Sequence, residues 1–196
     1  MADIANQHDP ANYDKPLPRR SDDELPFDPA TMPPHVPVML DTNVYLRRLQ
    51  GRLPAQISDL VLSRRILHSG VACSELAISA GILDPAHPNT HRNRAAVMGM
   101  LDSIADSDVV APGPEEWAEA GMIAGILART QYLAVPRKIL TPDQACCQDG
   151  LRRKLINDVL MFLSAIEQHA ILISANIRDM DLLLRFKPNA TVLLFR

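Results

Sequence analysis

The chain lacks the features that identify several large classes of protein. Only three of its 196 residues are cysteines, and Cys73, Cys146 and Cys147 form neither a CxxC pair nor a disulfide framework. Such sparse use of cysteine suits a reducing compartment, so we expect a cytoplasmic protein. No apolar run approaches the roughly 20 residues of a membrane span, and the acidic, proline-containing start does not resemble a signal peptide. We therefore expect no membrane partner.

Two further absences restrict the chemistry. The sequence contains neither GxxxxGK[ST] nor GxGxxG, which argues against a nucleotide-dependent enzyme. The net charge is -3, so the chain has no broad basic surface of the kind that binds nucleic acid. Residues 1–37 hold seven acids against three bases, which leaves the rest of the chain close to neutral. Any binding of nucleic acid would therefore depend on a local basic patch.

The first 35 residues differ in composition from the rest. They contain seven of the 16 prolines, several acids and few large apolar residues. A segment of this kind buries too little apolar surface to offset its ordering entropy, so we expect it to be extended or disordered in isolation. Docking on the body stays open, with Tyr13, Leu17, Leu25 and Phe27 as the anchors. We divide the chain into a proline-rich acidic N-terminal extension, residues 1–35, and a domain, residues 36–196.

From residue 36 onward, strand and helix patterns alternate. Buried strands are predicted at 38–40, 71–73, 108–111, 171–175 and 191–195. Helices are predicted from the first strand to about residue 48 and over 54–68, 74–80, 94–105, 114–132, 147–169 and 178–186, with loops at 84–93 and 136–142. This alternation predicts an α/β protein with three layers, α/β/α, around a central and mainly parallel sheet.

Carboxylates fall where such a sheet would bind a ligand. Asp41 ends the first strand, Glu75 follows the second, and Asp179 follows the fourth. Ligands of parallel sheets bind beyond the carboxyl ends of the strands. Asp158 lies inside the apolar helix 147–169, where a carboxylate is costly unless it is paired or bound to metal. A turn or cap role for Asp41, and an exposed position for Asp158, are the alternatives.

Converging carboxylates would repel one another, and a divalent cation is the simplest relief. Mg²⁺ and Mn²⁺ prefer oxygen ligands and keep waters that can meet a phosphate. A site of this kind activates water for cleavage of a phosphodiester. The sequence therefore predicts a Mg²⁺ or Mn²⁺ site at these acids.

Four segments resemble the motifs of PIN-domain ribonucleases, in particular the VapC-type toxins of bacterial toxin–antitoxin pairs. They are Leu40-Asp41-Thr42-Asn43-Val44-Tyr45-Leu46, Ser74-Glu75-Leu76-Ala77, Asn157-Asp158 with the apolar helix after it, and Ile173-Ser174-Ala175-Asn176-Ile177-Arg178-Asp179. The resemblance covers about residues 36–196. It implies a PIN-like fold and Mg²⁺- or Mn²⁺-dependent RNA cleavage, with Asp41, Glu75 and Asp158 as the metal-site acids. It also implies a homodimer and a cognate antitoxin whose peptide covers the acidic pocket.

The sequence departs from this family at two places. The family often has a fourth acid where Asn176 stands, so we expect Asp179, three residues later, to supply that charge as a further catalytic acid. Asn176 would then bind RNA or a metal-bound water. The N-terminal extension is the second departure. One hypothesis makes it a flexible tail, and the other makes it a cover over basic residues that would otherwise meet RNA.

Polar and basic residues near the acids are candidates for supporting roles. Thr42 and Asn43 are expected to orient Asp41, and Ser174 is expected either to bind a neighbouring carboxylate or phosphate or to cap a helix. Some basic residues could hold RNA phosphates, although solvated helix faces explain them equally well. These residues are Arg47, Arg48 and Arg52 after the first strand, and Arg152, Arg153 and Lys154 one turn before Asp158.

Two alternatives to a ribonuclease stay open. A haloacid-dehalogenase-like phosphohydrolase would use Asp41 as its nucleophile, but it requires a second aspartate two residues later, where this chain has Asn43. A non-catalytic PIN-like module would bind RNA or protein without cleaving. Retention of all three core acids argues against it.

Overall fold

Five short parallel strands form the centre of the part of the molecule that the structure describes. The structure is a computed structural model, and it describes residue 4 and residues 8–132 and 151–196. The strands lie in the order β3-β2-β1-β4-β5, and every neighbouring pair is parallel. They are β1 Val38–Leu40, β2 Ile66–Ser69, β3 Val109–Val110, β4 Ile171–Ser174 and β5 Val192–Leu194.

Helices connect the strands and cover the sheet. Seven α-helices lie in the described ranges: α1 Thr42–Leu49, α2 Ala55–Leu62, α3 Gly70–Gly81, α4 Thr90–Asp102, α5 Pro114–Leu127, α6 Leu151–Glu167 and α7 Ile177–Phe186. Helix α6 packs against α5, α3, α7 and β4, and α1 packs against α3 and β4. Every residue of β1, β4 and β5 is buried, as expected for strands that are covered on both faces. The predicted three-layer α/β/α PIN-like fold is confirmed.

The second strand was predicted at the wrong place. Residues 71–73 begin α3, and the strand is the preceding segment Ile66–Ser69, so the predicted helix 54–68 ends at Leu62. Ser69 caps α3 and accepts a hydrogen bond from the N–H of Val71 at 3.2 Å. A short apolar run fits a buried helix as well as a strand, and its periodicity does not separate the two. Glu75 therefore lies within α3 and not directly after a strand.

The remaining boundaries differ less. Helix α4 begins at Thr90 rather than at the predicted residue 94. The predicted loop extended too far because the first turn of this helix is polar. The predicted helix 114–132 is an α-helix to Leu127 and continues as a π-helix, Ala128–Tyr132. The predicted loop at 136–142 and the predicted start of the helix at 147 lie outside the described residues. None of the helices in the described ranges has both the length and the apolarity to cross a membrane.

The N-terminal extension docks on the body. It forms short 3₁₀ turns at Pro10–Asn12, Asp22–Glu24 and Pro29–Thr31. Leu25 is buried in the core, and the other three predicted anchors, Tyr13, Leu17 and Phe27, are partly buried against it.

The extension contacts basic residues of the body, and among the described side chains the arginines that bond to its carbonyls differ from those predicted to bind RNA. Its backbone carbonyls accept hydrogen bonds from three arginines of the body. Arg64 donates to Pro33, Arg129 to Tyr13, and Arg185 to Pro18.

Candidate active site

Asp41 lies at the carboxyl end of β1 and begins α1. The residue is 3% exposed and stands at the N-cap position of α1. Its carboxylate accepts hydrogen bonds from the hydroxyl of Ser174, at 2.5 Å, and from the side-chain amide of Asn43, so its role is more than that of a simple cap. Asn43 in turn accepts the N–H of Ala175 at 2.9 Å. The turns that follow β1 and β4 therefore hold the Asp41 carboxylate between them.

Glu75 reaches the same region from α3. Its Oε2 accepts a hydrogen bond from the hydroxyl of Thr42 at 2.5 Å, and its Oε1 accepts one from the amide of Asn157 at 2.8 Å. Thr42 was expected to orient Asp41, but its hydroxyl bonds to Glu75. Sequence reasoning gave Asn157 no role of its own. The only signal was an amide next to Asp158 at the start of an apolar helical run.

Asp158 and Asp179 are joined by an amide. Asp158 is 7% exposed, so it is not an exposed helical acid. The Nδ2 of Asn176 donates to Asp158 at 3.2 Å and to Asp179 at 3.0 Å, while its backbone N–H donates to the Ser174 hydroxyl at 2.9 Å. The ammonium of Lys154 lies 2.8 Å from the Asp179 carboxylate. Asn176 thus links the two acids, and Lys154 neutralises one of them.

The pKa values show that these acids lie close enough to influence one another. Burial, together with the charges of Asp41, Asp179 and Glu75 and against the opposing charge of Lys154, raises the pKa of Asp158 to about 8. Burial also raises the pKa of Asp41, although the hydrogen bond from Ser174 opposes this effect. The hydrogen bond to Asp179 is the main cause of the raised pKa of Lys154. Four carboxylates therefore share one region at the carboxyl edge of the sheet.

The chemistry of these side chains suits a hard divalent cation. Carboxylate and amide oxygens are the ligands that Mg²⁺ and Mn²⁺ prefer, and bound positive charge would remove the repulsion that raises the pKa of Asp158. Within the described ranges, no three His, Cys, Asp or Glu side chains already form a group that could hold an ion. Each acid is instead held by hydrogen bonds from uncharged neighbours or by Lys154.

The predicted RNA-binding residues are not all in one place. Lys154 belongs to the acidic region through Asp179. The guanidinium of Arg47 lies 5.1 Å from the ring centroid of Phe195. Arg48 lines the same cavity as His68, which places this arginine beside β2. The side chains of Arg152 and Arg153 lie outside the described part of the chain. Whether any of these residues binds RNA stays a prediction.

Comparison with known proteins gives a likeness in fold alone. No protein-family model matches the chain, and no curated protein matches it. The chain is similar to a chain of the crystal structure of VapBC2 from Rickettsia felis bound to a DNA fragment from its promoter. That match has 16% identity and a TM-score of 0.50, and it covers 81% of this chain and 98% of the other. A chain of VapBC-1 from nontypeable Haemophilus influenzae matches with 18% identity and a TM-score of 0.48, over 79% of this chain and 95% of the other. The resemblance in fold to VapBC proteins is thereby confirmed.

Proposed function

We propose that the chain is a Mg²⁺- or Mn²⁺-dependent endoribonuclease and the toxin of a toxin–antitoxin pair. The observation that supports this most is the group of four carboxylates at the carboxyl edge of the sheet, where burial and mutual repulsion raise the pKa of Asp158 to about 8. Buried acids that repel one another cost stability, and this cost is understandable if their charge is used to bind a cation.

Each acid has a separate role in this proposal. Asp41, Glu75 and Asp158 hold the cation, and Asp179 adds negative charge beside them. When bound, the ion activates water and stabilises the charge that develops on the phosphate during cleavage. The polar neighbours keep the acids in place before the substrate arrives, Ser174 and Asn43 at Asp41, and Thr42 at Glu75. Asn176 connects Asp158 to Asp179.

The basic residues supply the contacts to RNA in this proposal. Lys154 is the best placed, since its ammonium lies at the acidic region and its side chain is 59% exposed. An exposed cation there can pair with a phosphate next to the scissile one. The other proposed contacts are Arg47, Arg48, Arg152 and Arg153.

The partner and the compartment are part of the same proposal. The similar structure from Rickettsia felis is a VapBC complex, so we propose a cognate antitoxin that covers the acidic region, together with a homodimer that acts in the cytoplasm. Expression of the chain alone is then expected to arrest bacterial growth. Growth is expected to continue when Asp41→Asn is expressed at the same level.

Cleavage of RNA by the purified chain tests the enzymatic proposal. Single-stranded RNA is incubated with the protein in Mg²⁺, in Mn²⁺ and in chelator, and cleavage is expected only with the cations. Asp41→Asn is expected to abolish cleavage without lowering the melting temperature. Asp59→Asn makes the same change at an exposed position on α2 and is expected to cleave like the wild type. Cleavage in chelator, or by Asp41→Asn, would contradict the metal site. RNA binding without cleavage would support the non-catalytic module.

A further inference from the structure

Helix α7 carries a second buried carboxylate that the proposed chemistry does not use. Asp181 is 1% exposed and lies two residues after Asp179. Both of its oxygens are bound by Arg20 of the N-terminal extension. The Arg20 Nε donates to Oδ1 at 2.6 Å, and the Arg20 backbone N–H donates to Oδ2 at 3.1 Å. The extension therefore supplies the hydrogen bonds that this buried charge requires.

The body of the protein offers Asp181 only a weaker partner. The Nε of Arg185, one turn later on α7, lies 4.0 Å from Oδ1, at the limit of an ion pair. Its guanidinium is turned towards the extension, where Nη2 donates to the carbonyl of Pro18 at 3.1 Å. Without Arg20, the Asp181 carboxylate would keep one distant cation and no close donor among the contacts described.

Contacts on both sides fix Arg20 along the chain. Before it, the ring of Tyr13 stacks on Phe186 at the end of α7, with centroids 4.9 Å apart. After it, Leu25 is buried in the core, and the carbonyl of Pro26 accepts the N–H of Leu194 in the edge strand β5 at 2.8 Å. The backbone on both sides of Arg20 is therefore anchored to the body by contacts that do not involve Asp181.

We propose that Arg20 is a positioning residue for the acidic site, acting through α7. By holding Asp181 from one side, it fixes the rotation of the helix. That rotation sets where Asp179 meets Lys154 and where Asn176, at the start of the helix, meets Asp158. The inference rests on the proposed function only for its effect on cleavage. The contact between Arg20 and Asp181, called the clamp below, is a property of the fold alone.

Amide hydrogen exchange of three variants tests the clamp. Arg20→Gln removes the charge. Arg20→Lys keeps the charge, and both variants keep the backbone N–H that donates to Asp181. Asp22→Asn is the matched control, because it removes the ion pair with Arg196, which also joins the extension to the body but lies between two exposed side chains. Exchange at residues 177–182 is compared with exchange in β1, and the rate of RNA cleavage is measured beside it.

The expected pattern is local. Arg20→Gln is expected to speed exchange at 177–182 by tenfold or more with little change in β1, and to lower kcat. Arg20→Lys is expected to keep most of the slow exchange at 177–182 and most of the wild-type kcat. Asp22→Asn is expected to change neither the exchange nor kcat. Unchanged exchange at 177–182, or an equal increase in β1, would overturn the proposal.

A second variant and the exchange data cover the cases in which Arg20→Gln does not fold or the wild type does not cleave RNA. If Arg20→Gln does not fold, Asp181→Asn removes the same charge pair and leaves unpaired the 22% exposed Arg20 rather than the 1% exposed Asp181, so a smaller increase at 177–182 is expected. For Asp181→Asn as well, an equal increase of the exchange rate in β1, or no increase in either segment, would contradict the clamp. If the wild type cleaves no RNA, the proposed function fails, while the exchange data still decide whether Arg20 fixes the helix.

Discussion

Asp179 and Asp181 lie two residues apart on α7, are both buried, and face different cations. Two residues correspond to about 200° of rotation around a helix, so the side chains leave on nearly opposite sides. Asp179 meets Lys154 at 2.8 Å on the side of the acidic cluster, and Asp181 meets Arg20 at 2.6 Å on the side of the extension. The short helix is thus held from both sides by charge as well as by its buried apolar residues.

Asp158 is expected to make the metal-free protein less stable as the pH rises. Its pKa is raised to about 8 in the folded state from an ordinary value of 3.8, so folding favours the protonated form. The stability associated with this group is fully present below about pH 4, is lost as the pH rises from there towards 8, and changes little above that. Asp158→Asn removes the ionisable group. In chelator at pH 8.5 it is expected to raise the free energy of unfolding by about 3–5 kcal/mol.

Denaturant unfolding of the wild type and Asp158→Asn between pH 5 and 8.5 measures this effect. The advantage of the variant is expected to grow with pH over that range. Asp102→Asn, at an exposed position at the end of α4, is the control and is expected to follow the wild type at every pH. A constant difference between Asp158→Asn and the wild type would show that Asp158 does not titrate in this range.

Ser174→Ala is expected to weaken both the fold and the site. The Ser174 hydroxyl is fully buried, donates to Asp41 and accepts the backbone N–H of Asn176. Its removal leaves buried partners unsatisfied, at a cost of about 1–3 kcal/mol in the free energy of unfolding, and cleavage should slow because Asp41 loses a donor. Ser103→Ala removes an exposed hydroxyl that bonds to the carbonyl of Met100, and it is expected to change stability by less than about 0.5 kcal/mol. Equal losses in the two variants would argue against a special role for Ser174.

Lys154→Gln is expected to cost more stability than the loss of an ordinary surface ion pair. Its partner Asp179 is buried, so the charge-assisted hydrogen bond between them should contribute about 1–3 kcal/mol. Arg65→Gln breaks a more exposed pair with Asp108 and should cost less than about 1 kcal/mol. Thermal or urea unfolding at pH 7 compares the two. If the losses are alike, other contacts of Asp179 compensate for the lysine.

Leu25→Ala tests whether the extension contributes to the stability of the folded protein. Leu25 is 7% exposed and packs in the core, so its truncation is expected to lower the free energy of unfolding by about 2–4 kcal/mol, as for a core leucine. Leu62→Ala, where the leucine is 74% exposed, is the control and should be close to neutral. A loosely docked tail would instead give a small effect for Leu25→Ala, within about 0.5 kcal/mol.

Local sequence predicted the strands that are apolar on both faces. The run at Val38–Leu40 and the run at Ile171–Ser174 fit buried parallel strands, and both are strands. Strand β2 was missed because its residues alternate in burial and adjoin the apolar start of α3. Residues 66–69 are distinguished from residues 71–73 by their pairing with β1, as in Val38 with Ile66. That pairing is a long-range property.

The acids of the site were predictable, whereas most of their partners were not. A carboxylate inside an apolar run signals its own cost, which is why Asp158 was recognised. The bonds from Thr42 and Asn157 to Glu75 join residues 33 and 82 positions apart. Such contacts depend on how three helices are arranged around the sheet, and no local pattern contains that information. The same is true of Arg20, which finds Asp181 across 161 positions.

Asn157 and Asp158 are neighbours on α6, but they form hydrogen bonds to different partners. One donates to Glu75 on α3, and the other accepts from Asn176 after β4. Around these two residues the helix is largely buried and apolar, and apolar packing has no preferred direction. The directional contacts of these two consecutive polar residues therefore help to set the rotation of α6 about its own axis, together with those of Lys154 and Ser164. We expect sequence drift in its apolar positions to preserve the site as long as volume is kept, whereas a one-residue insertion upstream within the helix would turn both side chains by about 100° and separate them from their partners.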